Sequence, residues 1–368
     1  MIYLDYNATS PLRGGARVAM SAAMEVYGNP SSVHGAGRKA LALIEDARQD
    51  VIDLIGGCGG RLTFTSGGTE AINTAIRGTD MARIAVSAIE HDAVLAAAEA
   101  ARDSGGKTLE VLPVTPEGAL DLNAITLHDV PTLYCVQAVN NETGVIQPVE
   151  ELAALLQDTP HRLFVDAVQG AGKISLGAAI LNADMAALSA HKIGGPKGVG
   201  ALWLADGLDV PPLMVGGGQE RRRRAGTENV MGIAGFGAAA KAALVDLEAD
   251  RLPALQQKLE AGVRGITPDA RIIGSNRVAN TSCIVLPGVK AETQVMTLDL
   301  DGIAVSAGSA CSSGKVKPSH VLTAMGESAL NAACAIRVST GFATTTEDID
   351  GFLEAYKKLV SRLTTRAA

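Results

Sequence analysis

Between positions 61 and 205, short apolar runs alternate with segments of helical period. RLTFT (61–65), RIAVSAI (83–89), LEVLPV (109–114), TLYCVQAV (132–139), RLFVDAV (162–168), MAALSA (185–190) and VGALWLA (199–205) predict buried strands. Helical patterns follow several of them: GGTEAINTAIRG directly after RLTFT, Asp92 to Arg102, and VEELAALLQD (149–158). Alternation of this kind predicts an α/β fold, a mostly parallel sheet flanked by helices. From about Asn229 to Gly265 the pattern is helical, with an interruption at Pro253. Beyond it, TSCIVLP (281–287) and AIRVST (335–340) flank a helix-like AETQVMTLDLD, and a closing helix starts at Glu347. That change predicts a large domain over 13–245 and a smaller α+β domain over 246–368, joined by an N-terminal segment, 1–12. Two domains also suit 368 residues at roughly 150 per domain.

Aromatics make up 3% of the chain, so the interior must be built from Ala, Val, Leu and Ile. A formal charge of −7 argues against nucleic acid as the main partner. The N-terminus, MIYLDYNATSPLR, lacks the plan of a signal peptide, and the most apolar stretch, VMGIAGFGAAA (230–240), is too short to span a bilayer. No membrane partner is therefore expected. Five cysteines, at 58, 135, 283, 311 and 334, form no CxxC, which favours a reducing cytoplasm over a disulfide framework. GFGAAA (235–240) sits inside a helical run rather than after a strand, and GGPKGVG (194–200) lacks the GK[ST] ending of a phosphate loop. Both are read as packing and turn glycines, and no metal-ligand spacing repeats.

Four places offer chemistry. In LSAHKIGGPKG (188–198), Lys192 follows a buried strand at the position where open α/β sheets bind ligands. Partial burial there lowers a lysine pKa and frees the amine to form a Schiff base; the plain alternative is a surface lysine in a turn. Asp166 ends the run RLFVD, and a buried carboxylate needs a partner such as a protonated pyridine nitrogen. SGGTE (66–70) takes a strand into a helix through two glycines, exposing backbone N–H groups beside the Thr69 hydroxyl, a phosphate cup. His91 follows a strand and either lies against an aromatic ring or serves as a capping or core histidine. These are the handles a protein needs on pyridoxal 5′-phosphate. Cys311, in SAGSACSSGK (306–315), stands among Ser, Gly and Ala, the setting of a nucleophilic loop thiol or of an idle one. Cys135, Cys283 and Cys334 lie in apolar runs and read as packing residues; Cys58, between glycines, is less clear.

The chain resembles the cysteine desulfurases of the NifS/IscS type, class-V aminotransferase-like enzymes of pyridoxal-phosphate fold type I. The motifs run in order along nearly its whole length: LDYNATSP (4–11), YGNPSS (27–32), FTSGGTEA (64–71), EHDAV (90–94), NNETG (140–144), VDAVQ (165–169), SAHK (189–192), GGGQER…GTEN (216–229), SAGSACSSG and IRVSTG (336–341). The resemblance implies that Lys192 carries the cofactor and shuttles protons, Asp166 keeps the ring nitrogen protonated, and Gln169 meets the ring hydroxyl. His91 stacks on the ring and assists proton transfer. Thr69, Ser189 and His191 bind the phosphate, with backbone donors around Gly68. Thr227 is lent to the neighbouring subunit of a homodimer. Asn140 and Arg337 hold the carboxylate of L-cysteine, Arg337 through a guanidinium fork. Cys311 captures the substrate's sulfur as a persulfide, L-alanine leaves, and the sulfur supplies iron–sulfur cluster or thio-cofactor and tRNA biosynthesis through an unidentified acceptor protein.

Two features depart from the family's pattern. Arg221–Arg224 form a run of four where relatives commonly have a glycine or smaller residue at the second position, which is either a solvated loop or a phosphate or partner contact. The chain runs 31 residues past Arg337, shorter than relatives whose extension docks a scaffold, so the acceptor stays open. Another fold-type-I enzyme, an aminotransferase or selenocysteine lyase, shares the lysine and aspartate but does not call for the Cys311 loop. A non-catalytic sulfur-relay protein is the remaining alternative.

Overall fold

The computed structural model describes residues 1–57, 59–249, 251–308 and 318–367. A two-residue strand β1 (Ile2–Tyr3) leads into helices α1 (Gly14–Met24) and α2 (Gly35–Leu54). The seven apolar runs then become the seven strands of one sheet: β2 (Arg61–Thr65), β3 (Arg83–Ser87), β4 (Thr108–Leu112), β5 (Thr132–Gln137), β6 (Arg162–Asp166), β7 (Met185–Ser189) and β8 (Gly200–Leu204). Helices α3 (Gly68–Gly78), α4 (Asp92–Gly105), α5 (Val149–Leu156) and α6 (Gly177–Leu181) lie between them, and α7 (Val230–Glu248) follows. The strand order is β2-β8-β7-β6-β5-β3-β4.

The runs read as unbroken apolar sequence because both sheet faces are covered. In β8, Ala201 and Trp203 enter one core with Phe64, Tyr134 and Phe236, while Leu202 and Leu204 enter the other with Ile84, Val86 and Phe164. Period-2 alternation therefore sends successive side chains into two different interiors. Strands β3 to β7 pair in parallel, but β8 is antiparallel to both β2 and β7. The link from Ser189 to Gly200 carries no crossover helix, and a chain that doubles straight back returns antiparallel. As a result β2, β3, β5, β6 and β7 all end at the same sheet edge.

The helical stretch after Asn229 is two helices, α7 and α8 (Leu252–Ile266), with Pro253 in the first turn of the second, where its missing N–H is harmless. Helix α7 corrects the expectation about the apolar stretch: 230–247 is long and apolar enough to cross a membrane by length and composition. In the fold, Ile233, Phe236, Ala239, Ala240 and Ala243 pack it into the core, and a Cβ on Gly237 would lie 2.6 Å from the Ala47 backbone of α2. Its glycines thus serve close helix packing.

The remaining elements are β9 (Arg271–Ile273), β10 (Thr281–Val285), α9 (Ala291–Leu300), β11 (Ile303–Ala304), β12 (Ser306–Ala307), α10 (His320–Ala324), α11 (Ala329–Ala332), β13 (Ala335–Ser339) and α12 (Thr346–Ala367). Strands β12-β13-β10-β9 form an antiparallel sheet over a separate core containing Leu4, Ile284, Ile336, Phe352 and Tyr356. Strand β1 pairs in parallel with β11, which anchors the N-terminal segment on this second unit.

Edge strand β2 is covered by a buried ion pair. Arg48 from α2 donates to Glu220 (2.9 and 3.1 Å) and to the Leu62 carbonyl (2.6 Å), and Glu220 accepts from the Phe64 N–H (3.0 Å). Glu220, Arg221 and Arg222 adopt left-handed backbone angles (φ 45°, 57° and 69°) that aim the carboxylate inward. Three of the four consecutive arginines also pair: Arg221 with Glu45 (3.1 Å), Arg223 with Asp209 (3.2 Å) and Arg224 with Glu70 (3.0 Å). Replacing Glu220 by Ala strands the Arg48 charge in the interior. Denaturant unfolding of Glu220→Ala should show a loss of about 3–5 kcal/mol, and a loss below about 1 kcal/mol would contradict this role.

Candidate active site

The common sheet edge carries a cavity of about 500 Å³. Its wall includes Ser66–Thr69 at the start of α3, His91 at the start of α4, Asp166 at the end of β6, Gln169 just beyond, and Ser189, His191 and Lys192 after β7. This is the crevice beyond the carboxyl ends of the strands where doubly wound sheets take ligands.

Helix α3 brings its first turn, with Gly68 and Thr69, to the cavity. Backbone N–H groups in a first turn have no acceptor within the helix, so they and the positive end of the helix dipole are available to an anion. The packing there is tight: a Cβ on Gly68 would lie 3.0 Å from Val168 and 3.5 Å from Ser189, while a Cβ on Gly200 would lie 2.4 Å from the Gly67 backbone. Glu70 in the same turn would oppose an anion, but Arg224 and the Ser66 N–H hold it and keep its carboxyl below the usual carboxylate range against the opposing effect of burial.

Asp166 is buried, and one of its oxygens accepts from the Val168 N–H (3.0 Å). Burial pushes its carboxyl up, while the neighbouring His91, the Val168 N–H and the Lys192 charge pull it back. Next to it Glu90 is fully buried, accepts from the Gln137 N–H (2.9 Å), and is pushed well above the usual range by burial and then by Asp166. His91 is both a cap and a cavity residue: its Nδ1 accepts from the Ala93 N–H (3.1 Å), which assigns the proton of the neutral ring to Nε2. His191 Nδ1 meets the Thr9 hydroxyl (3.2 Å), and burial with the Lys192 and Lys197 charges lowers its pKa to about 4.

Lys192 is the centre of the arrangement. Its Nζ donates to the carbonyls of Asn7 (2.6 Å) and Ala8 (3.0 Å), and its own carbonyl accepts from the Ser10 hydroxyl (3.0 Å). Burial, followed by the Arg337 charge, lowers the amine to about 8, with Asp166 and Asp5 opposing. Below that pH the amine is protonated and inert; above it, it is a nucleophile and base.

The two residues expected to meet the substrate carboxylate hold other bonds in this structure. Asn140 is fully buried and not on the cavity wall: its oxygen accepts from the N–H groups of Glu142 (2.9 Å) and Thr143 (2.8 Å) and from the Thr143 hydroxyl, and its amide donates to Ile89 (3.0 Å). Its amide is spent on the turn, and Asn141 lines the cavity instead. Arg337 is not a free fork: it donates to Asp5 (2.8 Å) and to the Asn141 carbonyl (3.0 Å), although its Nε has no partner among the described residues. Thr227 is exposed and lies off the cavity wall. Cys311 and Cys58 fall outside the described residues, whereas Cys135, Cys283 and Cys334 are buried, the setting of packing thiols. Sequence reasoning gave no role to Asn7, whose only signal was membership of LDYNATSP, or to Lys173, which lies in none of the motifs.

Fold and site together place a helix N-terminus suited to an anion at strand ends, beside the Lys192 amine and the buried Asp166 carboxyl. The aminotransferase class-V family model matches residues 2–352, and the chain belongs to that family. It is 44% identical to a cysteine desulfurase of Cereibacter sphaeroides over 98% of this chain and 96% of the relative. The crystal structure of a NifS-like protein from Rickettsia africae superposes with a TM-score of 0.89 at 33% identity, covering 98% and 99% of the two chains. SspA, solved in complex with cysteine, superposes with a TM-score of 0.77 at 30% identity over 92% of this chain and 98% of that one.

Labelling of the amine in protein freed of small molecules tests the electrostatics. Acetylation of Lys192, followed by peptide mass mapping, should rise with a midpoint at about pH 8; a midpoint near the ordinary lysine value of 10.5 would contradict the assigned burial.

Proposed function

We propose that this chain is a pyridoxal-phosphate-dependent cysteine desulfurase that moves the sulfur of L-cysteine to Cys311 and releases L-alanine. The observation that carries the proposal is the meeting of the buried Lys192 amine and the buried Asp166 carboxyl in one cavity with an unspent helix N-terminus. The residues fit the cofactor. The first turn of α3, with Thr69, Ser189 and His191, suits its phosphate, Asp166 its ring nitrogen, His91 its face and Gln169 its hydroxyl. When bound, pyridoxal phosphate supplies a carbonyl for Lys192 and an electron-withdrawing ring.

The chain's own residues do the rest. Asp166 holds a proton on the ring nitrogen. Lys192 Nζ, lowered to about 8, takes the substrate's α-proton when it is unprotonated, a fraction that grows as pH rises through that value, and returns protons to the carbon skeleton. Asn141 lines the space for the substrate carboxylate, and Arg337, which donates to the Asn141 carbonyl, carries an Nε–H without a partner among the described residues. The Cys311 thiolate attacks the substrate sulfur: an S–S bond forms, the substrate Cβ–S bond breaks, and Cβ gains a proton. L-cysteine plus a thiol becomes L-alanine plus a persulfide. The two sulfurs give up two electrons in total and Cβ accepts them, so no external oxidant is needed. Ser319, eight residues after Cys311 in the chain, donates its hydroxyl to Glu142 (2.6 Å), the chain neighbour of Asn141.

A homodimer accords with the exposure of Thr227, which is free to serve a neighbouring subunit's phosphate site. The sulfur passes to an acceptor protein, such as an iron–sulfur scaffold, in the cytoplasm. The test is Cys311→Ala in the cofactor-loaded enzyme, assayed for sulfide and alanine from L-cysteine with a dithiol. Turnover should fall about a thousandfold while the bound cofactor is retained. Unchanged turnover would overturn the role of Cys311 and favour a lyase that needs no thiol.

A further inference from the structure

Among the polar groups that this reaction leaves unused, Lys173 is the best placed. It lies in the turn after β6, four residues past Gln169, and borders a second, narrower crevice of about 110 Å³ on the other side of Lys192. Lys192 borders both spaces; Gln169 borders the large cavity and Lys173 the crevice.

The Lys173 amine donates to the side-chain oxygen of Asn7 (2.8 Å) and to the side-chain oxygen of Gln169. Gln169 in turn donates its Nε2 to the Asn7 carbonyl (2.9 Å), the same oxygen that receives Lys192 Nζ (2.6 Å). Lys173, Gln169 and Asn7 therefore form a closed triangle of hydrogen bonds, and Lys192 rests on one of its corners. Asn7 is itself fixed: its amide donates to Asn141 (3.1 Å) and Thr281 (2.9 Å), and its side-chain oxygen also accepts from Asn280 (3.1 Å).

The triangle settles which way the Gln169 amide points. A lysine can only donate and a carbonyl can only accept, so one orientation alone satisfies both neighbours: oxygen to Lys173 and nitrogen to Asn7. A flipped amide would set donor against donor and acceptor against acceptor. With its oxygen held by Lys173, Gln169 keeps one N–H for the cavity. Burial, then the charges of Lys192 and Arg337, push the Lys173 amine well below an ordinary lysine.

We propose that Lys173 is a positioning residue for the cofactor site: it orients the Gln169 amide to present an N–H and, through Asn7, holds the carbonyl on which Lys192 rests. The proposal rests on the pyridoxal-phosphate reading. It differs from a merely stabilising role because its effect must pass through Gln169.

The experiment is a double-mutant cycle on the holoenzyme with Lys173→Met, Gln169→Ala and the double variant. It reads the dissociation constant of pyridoxal phosphate and the position of its absorption band, with the thermal midpoint as a check on folding. Lys173→Met should weaken binding about tenfold and shift the band, since Gln169 loses the partner that fixes its orientation. In the Gln169→Ala background the same change should add less than about twofold. An equal loss in both backgrounds, or a lower thermal midpoint with an unmoved band and constant, would overturn the proposal. If Lys173→Met does not fold, Lys173→Gln, which keeps a donor, carries the comparison. Its constant should stay within about threefold of wild type, and a tenfold loss that persists without Gln169 would overturn the proposal. A wild-type protein that takes up no pyridoxal phosphate would remove the cofactor reading and this inference together. A wild type and a Lys173→Met variant of equal affinity and spectrum would remove this inference alone.

Discussion

Seating the Lys192 amine on two backbone carbonyls of the N-terminal segment is the constraint from which the site follows. An amine taken out of water loses hydration and has to recover it from fixed acceptors. Asn7 and Ala8 supply them, which requires residues 7–10 to lie across His191 and Lys192. The Ser10 N–H accordingly donates to the His191 carbonyl (2.8 Å) and the Thr9 hydroxyl meets the His191 ring. The same segment is fastened to the antiparallel unit through β1, through Leu4 in its core and through Asn7 to Thr281 and Asn280. The amine's position is thus set by both halves of the chain at once.

The carboxylates show how burial sorts neighbouring groups. Glu90 and Asp166 lie close enough to repel, and two ionised acids there would be costly. Glu90, enclosed and bonded through one oxygen among the described residues, is pushed well above the usual carboxylate range, whereas Asp166 faces the cavity beside His91 and Lys192, whose charges pull its carboxyl back. The lysines divide in the same manner. Burial lowers both: Lys192 to about 8, with Asp166 and Asp5 opposing, and Lys173, whose acceptors are neutral amides, well below an ordinary lysine.

Much of this was legible in the sequence, for reasons that can be named. Six of the seven strands announced themselves because both their faces are covered and their residues are mostly apolar, whereas β4 lies at the sheet edge with Val111 exposed; the placement of Asp166, Ser189, His191 and Lys192 follows from their being at or just past strand ends. The direction of β8 was not legible from its composition, since parallel and antiparallel buried strands use the same residues. Asn140 and Asn141 could not be told apart, because which of two adjacent asparagines closes a turn is decided by backbone N–H groups and not by the side chains themselves. Nothing in the sequence flags the pairing of Arg337 with Asp5, because the two lie 332 positions apart in the chain. The bond from Lys173 to Gln169 spans four residues, but it forms in a turn, where no helical spacing rule flags it.

The central claim is that the buried amine of Lys192 is the one that holds a carbonyl cofactor. Incubating the protein with pyridoxal phosphate, reducing it with borohydride and mapping the pyridoxyl adduct by peptide mass spectrometry tests it most directly. The account predicts a single adduct on Lys192. No adduct, or an adduct on Lys173 or on exposed lysines in its place, would contradict it.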